Sequence, residues 1–266
     1  MEETTPKKIY IVGPLVITDN TREIAESGEA LFAGIARQHR VEIVAPFITK
    51  GPTSIENEVD DALCIPETLR LGLKARDAGA DGILVNCMCD PGVKALRCLL
   101  DIPVMGPAET AFHMAAALGH RFSVVDVGDD TGPMVEAQVH GYGLSSRFAS
   151  IRGTGVGVEE IHGGDNLFTT MGAAALEAVT EDRADVIVLG CTGFIGCADA
   201  VKSYLADHGV TGVPVIDPLP LAIRTLIGVV MEGHCHSKRV FRTPEKSKTL
   251  VGAADDDALL EFYNQD

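Results

Sequence analysis

Two segments of this chain follow one plan. ADGILVNCMCDPG at 80–92 and ADVIVLGCTGFIG at 184–196 each run from Ala-Asp through an unbroken aliphatic stretch into a small or polar residue and then a cysteine. Such a run reads as a strand buried on both faces, and strands of that kind belong to parallel sheets covered by helices on either side. A chain that makes the device twice reads as two halves built alike.

The surrounding pattern agrees. KIYIVGP, a helical period from Thr21 to Arg40, VEIVAPF, a second helical segment from Glu58 to Ala78 and DGILVNC form a βαβαβ series. After Gly119 the order restarts with RFSVVDVG, a helix over Gly132–Tyr142, FASIRGTG, a helix over Leu167–Thr180 and DVIVLGC. Cys191 follows Cys87 by 104 residues, and VPVIDP (213–218) follows IPVMGP (102–107) by 111. A drifting offset of this size suits a duplicated lobe with loop insertions and does not suit a short-period solenoid. Helices over Ala108–Leu118 and Leu219–Glu232 follow those paired strands, so each lobe receives a crossing helix. The division expected is 1–110 with 219–266 as one α/β lobe and 111–218 as the other. The tail from His234 is polar and then acidic, and its last residues fit a docked helix or a frayed end equally well.

Composition narrows the function. With 46% hydrophobic residues, only 5% aromatic and no Trp, the core is built from Val, Ile, Leu and Ala. A formal charge of -16 argues against nucleic acid as a partner, because phosphate-binding surfaces concentrate Lys and Arg. No apolar run reaches the roughly 18 residues a membrane span needs, and MEETTPKKIYIVGP lacks the apolar core of a signal peptide. A soluble, cytoplasmic protein is expected, and its seven cysteines, odd in number and scattered, are expected as free thiols.

In open α/β sheets, ligands bind beyond the carboxyl ends of the strands, and both Cys87 and Cys191 stand there. The residues that follow, MCDPG and TGFIG, are small or turn-forming and leave amide N–H groups free at a helix start. Such amides favour an anion, whether a substrate carboxylate or a thiolate of lowered pKa. If the lobes face each other about a pseudo-twofold axis, the two sulfurs approach one ligand from opposite sides. One thiolate then removes a proton from a carbon and the opposing thiol delivers one to the other face, inverting the centre. A free thiol pKa of about 8.5 brings both protonation states within reach near neutrality. The reaction requires neither a metal nor an organic cofactor.

NCMCDPG, IPVMGPAETA, GHRFSVV, VLGCTG and VPVIDP, in this order and continuing to SKRVF in the tail, make the chain similar to the aspartate/glutamate/hydantoin racemase superfamily, in its hydantoin racemase-like branch. The resemblance implies two pseudo-symmetric flavodoxin-like lobes with parallel sheets and an active-site cleft between them. It implies cofactor-independent racemisation of a small amino acid, hydantoin or related carbonyl compound, with Cys87 and Cys191 as paired acid/base thiols. Thr192 and Gly193 are implied as substrate contacts, with Met88, Cys89, Val16 and Asp126 as further ones by family position. A homo-oligomer acting on a small molecule is also implied. Three positions depart from the pattern. Gly13-Pro14-Leu15-Val16 replaces an Asn-Pro-Asn-Thr segment usual in hydantoin and allantoin racemases. Asp126, an acid able to pair with an ammonium group, replaces a threonine. Cys87-Met88-Cys89 stands where amino-acid racemases show Cys-Asn-Thr. Alternatives within the superfamily are a one-thiol decarboxylase, which the retention of both cysteines disfavours, and a cis-trans isomerase with a nucleophilic cysteine. Outside it stands a small-molecule or metal-binding module without catalysis.

Other features have plainer readings. Cys87-Met88-Cys89 could begin a metal site, but Cys197 and His234-Cys235-His236 have no ligand spacing to it, so no metal is expected. Cys64 and Cys98 fall on helical segments as packing residues. GTGVG at 153–157 lacks the Lys-Ser/Thr of a phosphate loop. His113 and His120 read as surface or satisfied core groups. Asp90, before Pro91-Gly92, reads as the N-cap of the helix that follows it.

Overall fold

The computed structural model describes residues 5–19, 21–156, 166–245 and 257–264. Its first part runs β1 (Lys8–Val12), α1 (Arg22–His39), β2 (Glu42–Val44), α2 (Glu58–Asp77), β3 (Gly82–Val85), α3 (Val93–Leu99), β4 (Val104–Met105) and α4 (Pro107–Leu118). The order then repeats with β5 (Phe122–Asp126), α5 (Gly132–Gly141), β6 (Phe148–Gly153), α6 (Leu167–Thr180), β7 (Val186–Leu189), α7 (Cys197–Asp207), β8 (Val215–Ile216) and α8 (Pro218–Met231), and α9 (Ala258–Asn264) follows. Two four-stranded parallel sheets result, ordered β2-β1-β3-β4 and β6-β5-β7-β8. This is the α/β class that the alternation of apolar runs and helical periods predicts. Gly157, the last residue of GTGVG, and positions 246–256 of the tail lie outside the described residues.

The aliphatic runs are buried on both faces, as a parallel strand under two helical layers must be. Ile9, Ile11 and Leu84 face α1 and α8, whereas Tyr10, Val12, Ile83 and Val85 face α2 and α3. Each such side chain contributes about 1.5–3 kcal/mol by leaving water. In the second sheet Val125, Ile187 and Leu189 pack under α6 and α7, and Phe122, Val124, Val186 and Val188 under α4 and α5.

The crossing helices are exchanged between the sheets. α4 leaves β4 of the first sheet and packs Ala108, Ala111, Phe112 and Ala115 onto the second. α8 leaves β8 of the second sheet and packs Leu219, Ala222, Ile223 and Leu226 onto the first. α4 and α8 also pack on each other, so the two sheets share a seam of helices.

The end of the tail is a docked helix. Ala258 and Phe262 of α9 are buried against Leu73 and Ala75 of α2. Arg70 grips Asp257 through two nitrogens at 2.9 and 2.7 Å. Upstream, Lys238 Nζ donates to the carbonyls of Arg97, Cys98 and Leu100 at 3.1, 3.2 and 2.6 Å, which caps the C-terminus of α3. Among the described residues no helix is long and apolar enough to cross a membrane.

Candidate active site

Both cysteines emerge from one backbone device used twice. At the end of β3, Asn86 N–H donates to Val12 C=O at 2.8 Å, and at the end of β7, Gly190 N–H donates to Val125 C=O at 2.7 Å. The chain then turns by matching bonds, Asp90 N–H to Cys87 C=O at 3.0 Å and Phe194 N–H to Cys191 C=O at 3.2 Å. Gly92 (φ 71°) and Gly196 (φ 77°) take the left-handed conformation that starts α3 and α7, which is why both loops carry glycine there. The thiols themselves match: Cys87 Sγ accepts the N–H of Cys89 at 3.4 Å and Cys191 Sγ that of Gly193 at 3.3 Å.

Cys87 and Cys191 line one cavity at the carboxyl ends of the two sheets. Met88, Cys89, Asp126, Thr192 and Gly193 line it with them. Val16 lies outside this lining: its N–H donates to Pro52 C=O at 2.9 Å and its side chain packs beside Ile48, Ile55 and Cys64, while Leu15 takes the place at the cavity wall. Several wall residues carry no signal in the sequence. Ile55 and Glu56 enter from the loop before α2, Phe112 from α4, and Met134, Val135 and Gln138 from α5. No spacing rule connects these distant segments to the cysteines. Asn86 does carry a signal, because a polar side chain directly after a buried strand and directly before a site cysteine faces the same mouth. Its side-chain oxygen is buried without a hydrogen-bond partner in the protein.

The cavity is an apolar space with acidic and amide groups set into it. Burial raises the Cys191 thiol far above its ordinary range, Asp126 and Cys87 add to the rise, and the Gly193 amide opposes it. Cys89 is raised chiefly by its hydrogen bond to Cys87 and then by burial, and Cys64, behind the same loop, is pushed up to about 12 by burial first and Cys87 second. Asp126 accepts from Val127 N–H at 2.8 Å and from the Thr131 hydroxyl at 2.7 Å. Burial nevertheless pushes its carboxyl up to about 6. The charged side chains of the wall are Glu56 and Asp126, both acidic, and among the described residues it has no Lys, Arg or His.

Asp90 has a structural part, but on another helix than expected. It sits at φ 50° and caps α4, not α3, accepting from Ala108 N–H at 3.1 Å and Glu109 N–H at 2.9 Å. Gly106, the N-cap residue of α4, has no side chain with which to cap it, and a Cβ there would overlap the Asp90 carboxylate. Cys197 opens α7 as a buried residue, and His236 Nε2 accepts from Val104 N–H at 2.8 Å.

Comparison with known proteins agrees with this architecture. The family model described as Asp/Glu/Hydantoin racemase matches residues 9–226. A hydantoin racemase of Pseudomonas sp. (strain NS671) is 35% identical over 90% of this chain and 94% of its own. One of Paenarthrobacter aurescens is 32% identical over 87% and 94%. Among solved structures, the allantoin racemase from Klebsiella pneumoniae superposes with a TM-score of 0.80 at 29% identity, covering 95% of this chain and 98% of that one. Two like parallel sheets, a cysteine at the matching strand end of each, and a family match over most of the length together establish that the chain belongs to the Asp/Glu/hydantoin racemase family.

Proposed function

We propose that the protein is a cofactor-independent racemase of neutral, hydantoin- or allantoin-type rings, with Cys87 and Cys191 exchanging a proton at the ring carbon beside the carbonyl. The observation that carries this reading is that both strand-end thiols line one cavity whose charged walls are acidic only. The relatives named hydantoin and allantoin racemases support it.

In one direction the Cys87 thiolate takes the proton from carbon, and the C–H electron pair moves into the carbonyl to give an enolate. The Cys191 thiol then delivers its proton to the opposite face and is left as thiolate. Cys87 now holds the proton, so the protein is poised for the reverse reaction or for proton exchange with solvent. Such acid/base work contributes about 10²- to 10⁴-fold per group. The raised pKa of Cys191 suits the donor state, because it keeps that thiol protonated until the enolate calls for the proton.

Charge disfavours an amino acid at its carboxylate end, even with its ammonium group paired to Asp126. A free α-carboxylate would enter a space holding Glu56 and Asp126 with no cation among the described wall residues to receive it, and like charges in a low-dielectric cavity repel strongly. A hydantoin presents N–H donors instead, and the unpartnered oxygen of Asn86 is an acceptor able to take one. Thr192 and Gly193 supply hydroxyl and backbone contacts beside Cys191.

The test is solvent-deuterium incorporation at the stereocentre over a panel of 5-substituted hydantoins, allantoin and amino acids, with wild type, Cys87→Ser and Cys191→Ser. Incorporation with racemisation of the rings, lost in both variants, is the expected result. Exchange that survives both substitutions, or that occurs with amino acids alone, overturns it.

A further inference from the structure

The two thiol loops are tied down by carboxylates in a crossed arrangement. Asp90 lies in the loop that follows β3 of the first sheet, and it caps α4, which packs on the second sheet. Asp217 caps α8, which packs on the first sheet, and it accepts Gly196 N–H at 3.0 Å from the loop that follows β7 of the second. Each cysteine loop is therefore bonded to the N-terminus of a helix belonging to the opposite half. The two tethers are built differently: the first carboxylate stands on the loop and the second on the helix, and among the described residues only the first is braced from α5. Asp90 takes a third donor, the Tyr142 hydroxyl at 2.7 Å, from the C-terminal end of α5, and Gln138 of α5 donates to Met88 C=O at 2.8 Å. The second loop is held by Asp217 at its far end.

We propose that Asp90 with Tyr142, and Asp217, are positioning residues that each set one thiol against the shared cavity: the first pair sets Cys87 and the second residue sets Cys191. The chain from tether to thiol is continuous in both loops. Asp90 is three residues from Cys87 and bonded back to its carbonyl, and Gln138 holds the peptide between them. Phe194 N–H closes the turn that begins at Cys191, whose Sγ accepts Gly193 N–H inside it, and Gly196 follows that turn with its own N–H on Asp217. Reacting atoms need alignment to within a fraction of an ångström, so a loosened loop loses rate at its own thiol while the other thiol keeps its place.

The discriminating property is selectivity between the two sulfurs. The variants are Tyr142→Phe, which removes one donor at constant shape, and Asp217→Asn, with Asp217→Ser as a second choice that retains a helix cap. The first readout is the alkylation rate of each cysteine by iodoacetamide, followed by peptide mass spectrometry on the folded protein. Tyr142→Phe is expected to change the rate at Cys87 about threefold or more and to leave Cys191 as it was, and the Asp217 variants to do the reverse. This arm does not depend on the protein being a racemase.

The second readout rests on the two-thiol racemase reading. With C-deuterated substrate, the variant in which Cys87 is misplaced shows an increased primary isotope effect for one enantiomer, and the Asp217 variants show it for the other. Both thiols changing together, or neither changing in a folded variant, overturns the proposal. Selective alkylation in a protein that racemises no ring compound would leave the tethers standing and overturn the racemase reading alone.

Discussion

Cys191 Sγ accepts the backbone N–H of Gly193 at 3.3 Å, an amide two residues further along its own loop. This bond stabilises the thiolate, yet burial and the carboxylate of Asp126 outweigh it and hold the thiol protonated. With the thiol pKa raised, the thiolate fraction at pH 8 is small, and removing a neighbouring negative charge lowers that pKa and enlarges the fraction. Asp126→Asn is therefore expected to speed alkylation of Cys191 at pH 8 by about twofold or more. An unchanged rate would show that Asp126 does not act on the thiol.

Asp126 and Asp90 also make stability depend on pH. Burial raises both carboxyls, to about 6 and about 7, from an ordinary aspartate value of 3.8. The folded state thus binds protons more tightly than the unfolded chain. The contribution is fully present below about pH 4 and is lost as pH rises through 6 and 7, so each group makes the protein less stable at neutrality than in mild acid. For Asp126 this amounts to about 2–3 kcal/mol at most, since one pKa unit is worth about 1.4 kcal/mol. In urea titrations between pH 4 and 7, Asp126→Asn should lose part of the decline seen in wild type. Parallel curves would remove Asp126 as its source.

Two glycines separate crowding from conformational freedom. Gly106 leaves the space that the Asp90 carboxylate occupies, and a methyl there overlaps it. Gly106→Ala is expected to destabilise the fold by about 1–3 kcal/mol, as overpacking does, and to displace the Cys87 loop with it. Gly34, in α1, has open space where a Cβ would stand, with nothing within 4 Å, so Gly34→Ala is expected to stabilise by about 0.5–1 kcal/mol through helix propensity alone. Urea midpoints of the two variants should move in opposite directions.

The longer helices are legible in the sequence nearly to the residue, because their apolar period is local: the segment read as Leu167–Thr180 is α6, and Glu58–Ala78 covers α2 with its C-cap, whereas α3 and α7 show only as helix starts after the cysteine turns. The duplicated cysteines are legible because a repeat shows itself by subtraction. The rest of the cavity wall is not. Glu56 and Gln138 reach it from a loop and from a helix of the other half, and their roles depend on how the sheets face each other, which no period in the chain encodes. Asp90 shows the same limit. An Asp before Pro-Gly is a local signal for capping the next helix, but the left-handed turn at Asp90 and the bare Gly106 redirect the carboxylate to α4. The shift from Val16 to Leu15 at the wall is a matter of one residue in a loop that has no period-2 alternation to fix it.

The acidic wall makes a prediction about the substituent a ring substrate carries. Glu56 and Asp126 stand among Leu15, Ile55, Phe112 and Met134, so an apolar substituent finds packing while an anionic one meets two like charges in a poorly solvated space. Specificity is a difference between affinities, and repulsion of the wrong ligand counts as much as attraction of the right one. A hydantoin bearing a carboxymethyl group at the stereocentre is expected to react with kcat/KM at least about tenfold below that of its carbamoylmethyl isostere, a gap of about 1.4 kcal/mol. Asp126→Asn should narrow the gap by raising the turnover of the acid more than that of the amide. The comparison is made at pH 8, above the raised pKa of Asp126, where the carboxylate is charged. Equal turnover of acid and amide in wild type would mean that the two carboxylates do not face the substituent, and the apolar wall alone would then set the preference.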